Sequence, residues 1–212
     1  MTINTSPTLK LEQVFWNEGF SIVAGLDEAG RGAWAGPVTA GAVILSRAKD
    51  ISKKLKGVRD SKQLTPRQRE RLYSVIQRHV LSWGVGFASN IEIDAYGIVP
   101  ATKLAMKRAI SQLIPPPQAL VIDAVQLKTV SLPQQSVNFG DSISLSIAAA
   151  SILAKVSRDH WMMAAETRYP DYGFARHKGY GTRMHQIALK VCGICEIHRF
   201  SYKPIKAQLP IY

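Results

Sequence analysis

Adjacent carboxylates at Asp27 and Glu28, with further ones at Asp123 and Asp141, are the residues whose types and settings could do chemistry in this chain. Asp27 ends the apolar run Ile22, Val23, Ala24 and Leu26, and Asp123 ends Ala119-Leu120-Val121-Ile122, so each stands where a buried strand runs out. Desolvating a lone carboxylate costs several kcal/mol or more, so an acid in that setting needs a charge partner or a metal ion. Taken singly, each has a plainer reading. A bare Asp-Glu pair opens a surface loop, and Asp141, just ahead of a long helical segment, favours a helix N-terminus by about 0.3–1 kcal/mol. Two strands that both end on aspartate are harder to dismiss than one.

The elements around these acids follow from pattern and punctuation. Pro37 to Leu45 reads as a second buried strand, paired hairpin-like with the first. Between them Gly30-Arg31-Gly32 forms a turn whose backbone N–H groups can come close to a ligand, since glycine has no Cβ to hold it off. Residues 1–20 permit a short docking helix through Leu9, Leu11, Val14, Phe15 and Phe20, after a polar and loose Thr2 to Thr8. Arg47 to Gly57 reads as a lysine-rich connector. Thr65-Pro66, a cap and a first-turn proline, starts a helix with a Leu72, Val75, Ile76, Val80 stripe, leaving Arg67, Arg69, Arg71 and Arg78 to solvent. Trp83 to Ala88 reads as a third strand, Asn90 as a cap and Ile91 to Val99 as irregular. A helix from Pro100 to Ile114 is stopped by Pro115-Pro116-Pro117, and Ser144 to Tyr169 reads as a long helix.

Composition bounds the class. At 212 residues and 46% hydrophobic content the chain suits one globular domain with a sizeable core. Lys and Arg total 27 against 15 acids, a formal charge of +12, which fits a polyanionic partner: nucleic acid first, an anionic membrane second. No apolar run approaches the roughly 20 residues that span a bilayer, and residues 1–20 lack the pattern of a signal peptide, so a cytoplasmic protein is expected. Cys192 and Cys195 make no disulfide framework. With His185 and His198 nearby they invite comparison with a zinc site or redox pair, but one C-x-x-C lacks a second pair, and Gly193 reads as the end of a helix starting near Thr182.

Several motifs, in order along the chain, carry a resemblance. Asp27-Glu28-Ala29-Gly30-Arg31-Gly32 followed by Ala35-Gly36-Pro37-Val38 is similar to the signature of bacterial ribonuclease HII, a type 2 ribonuclease H family. Asp60-Ser61-Lys62, the strand end at Asp123, Gly140-Asp141, the string from Ser146 to Asp159, and Tyr172 to Thr182 resemble the same family. Ala33-Trp34 stands where the family often has Pro-Leu, Ala124 where glycine is common, and Phe139 where lysine is usual. Those departures bear on particular phosphate contacts and on rate. The absence of an additional N-terminal substrate-binding domain argues against the sister group, ribonuclease HIII.

The resemblance implies an α/β, ribonuclease H-like fold: a mixed five-stranded sheet flanked by helices, with a small C-terminal helical portion. Residues 1–20 would be an N-terminal extension, 21–170 the catalytic core and 171–212 a substrate-contacting part of the same domain. It implies an endonuclease that hydrolyses the RNA strand of RNA–DNA hybrids and incises at single ribonucleotides in duplex DNA, leaving 5′-phosphate and 3′-hydroxyl ends, in replication and repair. Asp27, Glu28, Asp123 and Asp141 would be the catalytic ligands of two Mg²⁺ or Mn²⁺ ions, hard ions suited to oxygen donors. Gly30, Arg31 and Gly32 would read the 2′-hydroxyl, Lys62 would meet a phosphate, and Tyr180 would pack on the deoxyribose just 3′ of the ribonucleotide. A monomer is expected, with no membrane partner. Two other readings compete: a non-catalytic hybrid-binding protein with structural acids, and a different nuclease or transposase-like enzyme on the same fold. A binding assay beside a cleavage assay separates the first; the second has no need of a 2′-hydroxyl reader.

Overall fold

A computed structural model describes residues 6–208. Its elements are α1 (Lys10–Asn17), β1 (Val23–Ala29), β2 (Val38–Ile44), α2 (Ile51–Lys54), α3 (Pro66–His79), β3 (Ser82–Ala88), α4 (Asn90–Tyr96), α5 (Ile98–Ile110), β4 (Ala119–Asp123), β5 (Gln134–Val137), α6 (Gly140–Ile143), α7 (Leu145–Arg168), α8 (Phe174–His177), α9 (Arg183–Cys192) and α10 (Lys203–Lys206). The Thr2–Thr5 part of the expected loose start lies outside the described residues. Among the described residues no helix is long and apolar enough to cross a membrane.

The expected α/β arrangement is present. Five strands form one sheet in the order β3-β2-β1-β4-β5. β1 pairs antiparallel with β2, and β2 with β3, whereas β4 runs parallel to β1 and β5 parallel to β4. Alternation then sorts the side chains to two faces. Ala24, Leu26, Ala40, Ala42, Ile44, Leu120 and Ile122 face α5, whose Ala101, Ala105, Met106 and Ala109 complete that half of the core. Val23, Ala119 and Val121 face the other way, onto Ile147 of α7 and Phe15 of α1. Val43 on that face meets the alanine row Ala148, Ala149 and Ala150 of α7 and Leu72 and Ile76 of α3. Close helix approach explains the strand glycines: a Cβ on Gly41 would lie 2.3 Å from the Ala150 carbonyl, and one on Gly25 would lie 2.3 Å from Ser146 Oγ.

Local chemistry sets the element ends, and it corrects four expectations. Ser89, not Asn90, caps α4, and Glu92 returns the bond, so the stretch read as irregular is a capped helix up to Tyr96. α5 starts at Ile98, with Pro100 in its first turn, where its missing N–H costs nothing. The lysine-rich connector contains the helical turn α2. Arg69 is not left to solvent: its Nη1 donates to the carbonyls of Ser61 at 2.9 Å and Leu64 at 2.6 Å, pinning the 3-10 turn that carries Lys62. Thr65 caps α3 in a capping box with Pro66 next, as its pattern predicts, and Thr182 and Gly193 bound α9. α1 docks as expected through Leu11 and Phe15, with Leu9 and Phe20 packing at its two ends and Glu12 buried as well, while Val14 stays exposed.

The C-terminal helices pack on the far end of α7. Met162 joins Ala35, Tyr172, Phe174, Ala188, Leu189, Ile197 and Ile205 in one buried cluster, which ties the turn after β1 to residues beyond 171.

Candidate active site

The sheet itself assembles the acids. β1 and β4 pair in parallel up to Leu26 opposite Ile122, so the next residues, Asp27 and Asp123, stand side by side on the face shared with Gly25 and Val121; Asp123 ends β4, whereas β1 runs past the end expected at Asp27, through Glu28 to Ala29 along β2. That face is covered by the α6–α7 segment, which brings Asp141, buried on α6. A hydrogen bond locks the join: the Gly140 N–H donates to Asp123 Oδ1 at 2.7 Å. Glu28, one residue on, donates its backbone N–H to Asp27 Oδ1 at 2.7 Å and accepts from Arg31 Nη1 at 3.0 Å.

The electrostatics of this cluster are those of acids short of cations. Burial raises the Asp27 carboxyl well above the usual range, and Glu28, Asp123 and Asp141 push it further the same way. Burial also raises Glu28, against the pull of Arg31. Asp141 is lifted to about 6, first by burial and then by Asp60 beside it. Lys62 Nζ reaches Asp141 Oδ2 at 3.7 Å with its side chain 83% exposed; burial works against its charge, but Asp141 and the acids around it outweigh that and hold it above the usual range.

A cleft of about 240 Å³ opens over these groups, lined by Asp27, Glu28, Gly30, Arg31, Lys62, Asp123 and Tyr180. Asp141 flanks it through Lys62. Gly32 is exposed and outside the lining, and a Cβ there would meet nothing within 4 Å. Lys155 also lines the cleft, held at 2.7 Å by Asp159 and lying 5.8 Å over the Tyr180 ring. The sequence pattern offers one signal for it, a lysine between apolar positions of a helix whose next turn supplies the aspartate.

Two buried arginines hold the turn against the Tyr180 loop: Arg158, within the family-like string from Ser146 to Asp159, and Arg199, which no sequence signal singled out. Arg158 donates from Nε to the Pro37 carbonyl at 2.9 Å, from Nη2 to Ala35 at 3.0 Å and from Nη1 to Lys178 at 2.9 Å, and lies 5.3 Å over the Tyr180 ring. Burial lowers its pKa to about 10, which leaves it charged at neutral pH. Arg199 donates to the carbonyls of Gly36 and Arg31, both at 2.9 Å, and Tyr202 Oη donates to the Arg31 carbonyl at 2.6 Å. Trp34, one of the residues that depart from the family pattern, lies against this loop: its backbone N–H donates to the Gly179 carbonyl at 2.8 Å, and its ring packs where a Cβ on Gly181 would fall.

The donor set suits a hard divalent cation. It is all carboxylate oxygen, Asp27 is crowded by three other acids, and Glu28 Oε2 is buried with no hydrogen-bond partner. Among the described residues no three His, Cys, Asp or Glu side chains close on one ion-sized point, so the arrangement is an open cleft and not a finished cage. His185, His198 and Cys195 do come together, as a buried hydrogen-bonded row away from the cleft.

Comparison with known proteins gives a consistent result. The sequence model for "Ribonuclease HII" matches residues 24–205. The chain is similar to ribonuclease HII of Chloroflexus aurantiacus, 52% identical over 203 residues that cover 94% of each chain. It is similar also to ribonuclease HII of Dehalococcoides mccartyi, 48% identical over 205 residues and 94% of each. Among solved structures it resembles ribonuclease H2 from Pyrococcus horikoshii OT3, with a TM-score of 0.73 and 27% identity over 88% of this chain and 96% of that one.

Proposed function

The chain belongs to the ribonuclease HII family, and from that membership we propose that Asp27, Glu28, Asp123 and Asp141 carry its reaction. The protein is a hydrolase, an endonuclease acting on RNA–DNA hybrids. The observation that supports the assignment to these residues is the register that sets Asp27 of β1 beside Asp123 at the end of β4, with Gly140 tying Asp141's helix to the second of them. The four carboxylates would hold two Mg²⁺ or Mn²⁺ ions, which when bound activate water and stabilise the leaving 3′-oxygen.

The remaining groups of the cleft select and orient the substrate. Arg31, anchored by Glu28, and the open backbone at Gly32 suit a 2′-hydroxyl, which is the feature that distinguishes RNA from DNA at a given position. Lys62 and Lys155 place positive charge at the rim for phosphates. Tyr180 presents its ring to the next sugar with Arg158 and Lys155 behind it. On this reading the enzyme prefers the step from a ribonucleotide to a deoxyribonucleotide, because a second hydroxyl would crowd that ring, and it incises at single ribonucleotides embedded in duplex DNA. It acts as a monomer in the cytoplasm, leaving 5′-phosphate and 3′-hydroxyl ends. The test is incubation of a duplex containing one ribonucleotide with Mg²⁺ or Mn²⁺, and mapping of the cut. A cut at the 5′ side of the ribonucleotide fits the reading; cleavage of continuous RNA only, with the single ribonucleotide ignored, contradicts it.

A further inference from the structure

Behind the cleft three histidines are shut into the C-terminal cluster, His185 and His198 fully buried and His177 nearly so. Their partners settle which nitrogen of each ring carries the proton. His185 Nδ1 lies 3.0 Å from the carbonyl oxygen of Tyr180, which can only accept, so Nδ1 is protonated and Nε2 is an acceptor. His198 Nε2, 3.0 Å from His185 Nε2, therefore donates to it, and His198 Nδ1 accepts the Cys195 backbone N–H at 3.0 Å. The opposite assignment sets a lone pair against the Tyr180 carbonyl and one N–H against another at Cys195. The Cys195 carbonyl has no need of the ring, since it accepts the His198 backbone N–H at 3.0 Å. His177 stacks on His185 with centroids 4.4 Å apart and planes 12° apart; its Nε2 donates to the Tyr172 carbonyl at 2.8 Å and its Nδ1 accepts the Gly179 N–H at 3.1 Å.

We infer that His177, His185 and His198 are positioning residues for Tyr180. His198 and His185 form a directed row of hydrogen bonds that ends on its carbonyl, and His177, stacked on His185, accepts the N–H of the residue before it. The row adds to the Thr182 N–H that the Tyr180 carbonyl accepts at 2.8 Å and to the bonds from Arg158 to Lys178 and from Trp34 to Gly179. Tyr180 N–H donates to the His177 carbonyl at 2.9 Å, so moving His177 moves Tyr180, and Lys178 sits in the left-handed region at φ 52. A buried polar row is also costly unless every member is satisfied, and here each ring nitrogen has a partner of the right kind, His198 Nδ1 having Cys195 Sγ at 3.2 Å beside the backbone N–H. One end of the row thus holds the main chain of a cleft residue. The inference rests on the reading of Tyr180 given above as the group that senses the sugar after the ribonucleotide.

Two variants of one residue isolate the bond. Asparagine sets its amide nitrogen near the place of Nδ1, so His185→Asn keeps the donor to Tyr180 and loses His198; glutamine reaches the place of Nε2, so His185→Gln does the reverse. The readout is the ratio of cleavage rates on a single-ribonucleotide duplex and an all-RNA hybrid, with melting temperature alongside and Tyr180→Ala as reference. The expected result is a ratio lowered about fivefold in His185→Gln, the effect of one hydrogen bond, and close to wild type in His185→Asn. A ratio lowered by Tyr180→Ala but untouched by His185→Gln, or lowered equally by both His185 variants, overturns the positioning role alone. A ratio that Tyr180→Ala leaves unchanged overturns the reading of Tyr180 and this inference with it. Should neither variant fold, imidazole ¹⁵N shifts of the wild type decide: protonated Nδ1 on His185 with protonated Nε2 on His198 supports the row, and the reverse overturns it.

Discussion

Gly30 and Arg158 interlock: a Cβ on Gly30 would lie 2.0 Å from Arg158 Nε, and Gly30 has a φ of +93. Glycine is therefore demanded there by the protein's own interior, whereas at Gly32 nothing lies within 4 Å. The two glycines of the turn should respond differently to the same substitution. Gly30→Ala is expected to lower the melting temperature, because it strains the backbone and displaces a buried cation. Gly32→Ala is expected to leave melting unchanged and raise KM for hybrid, because only an approaching ligand would meet the new methyl group. Thermal melting and steady-state kinetics of the pair check this; equal melting of the two variants would contradict it.

The acid cluster is expected to cost stability until cations arrive. Asp27 is buried among Glu28, Asp123 and Asp141. Asp27→Asn keeps an acceptor for the Glu28 N–H and removes one like charge, so it should raise the melting temperature without added metal by about 2–4 °C for each kcal/mol of repulsion relieved. Mn²⁺ at a hundred times its Kd should stabilise the wild type by about 2.7 kcal/mol, and Asp27→Asn much less. Equal stabilisation of both by Mn²⁺ would remove Asp27 from the ligand set.

Acid should loosen the histidine row. Burial lowers His185 and His198 to about 4, below the ordinary 6.5. The unfolded chain then binds more protons than the folded one between those values. The contribution of the row is therefore fully present above about 6.5 and is lost as pH falls toward 4. Asp141, raised to about 6, acts in the opposite sense over an overlapping range, since its folded form binds the proton more readily. The informative quantity is the difference in melting temperature between wild type and His185→Asn as a function of pH. It is expected to shrink from pH 7 to pH 4; a difference independent of pH would contradict the assignment.

Glu12 links the N-terminal helix to the catalytic segment. Its Oε1 accepts from Ser144 Oγ at 2.6 Å, Ser146 N at 3.0 Å and Ser146 Oγ at 2.5 Å, and Thr8 pairs with Ser144 as an isolated bridge. Glu12→Ala would strand those buried donors, at a cost of about 2–4 kcal/mol. Because Ser144 caps α7 just after Asp141's helix, the Mn²⁺ concentration for half-maximal cleavage should rise as well. An unchanged melting curve would show that the contact is dispensable.

What could be read in the sequence, and what could not, divides along physical lines. The acids Asp27 and Asp123 were legible because an apolar run that stops on an acid is a local pattern, although β1 runs on past Asp27 to Ala29 under the pairing with β2. Their adjacency was not, since it needs the parallel pairing of β1 with β4, set by the crossover through α5. β5, Gln134–Val137, has no apolar alternation to betray it; it is a polar edge strand. Ser89-x-x-Glu92 carried its capping signal in plain view, but Asn90 competed with it for the same role. Glu12 and Arg199 carried no signal, and His185 and His198 invited comparison with a metal site beside the cysteines, because a buried polar side chain is identified by partners distant in sequence. The unusual residues make sense only with the backbone known: Ala124 stands at φ 51 and Phe139 at φ 57, conformations that glycine adopts without cost.

The central claim is that the carboxylates gathered where the pairing of β1 and β4 stops do the chemistry and are not there for structure. Asp123→Asn tests it most directly, assayed in parallel for Mn²⁺-dependent cleavage of a duplex containing one ribonucleotide and for binding of the same duplex in EDTA. The account expects cleavage to fall by several orders of magnitude while metal-free binding is retained or tightens, since a negative charge facing a polyanion has been removed. Near-normal cleavage by Asp123→Asn, or loss of binding and cleavage together with loss of the folded state, would contradict it.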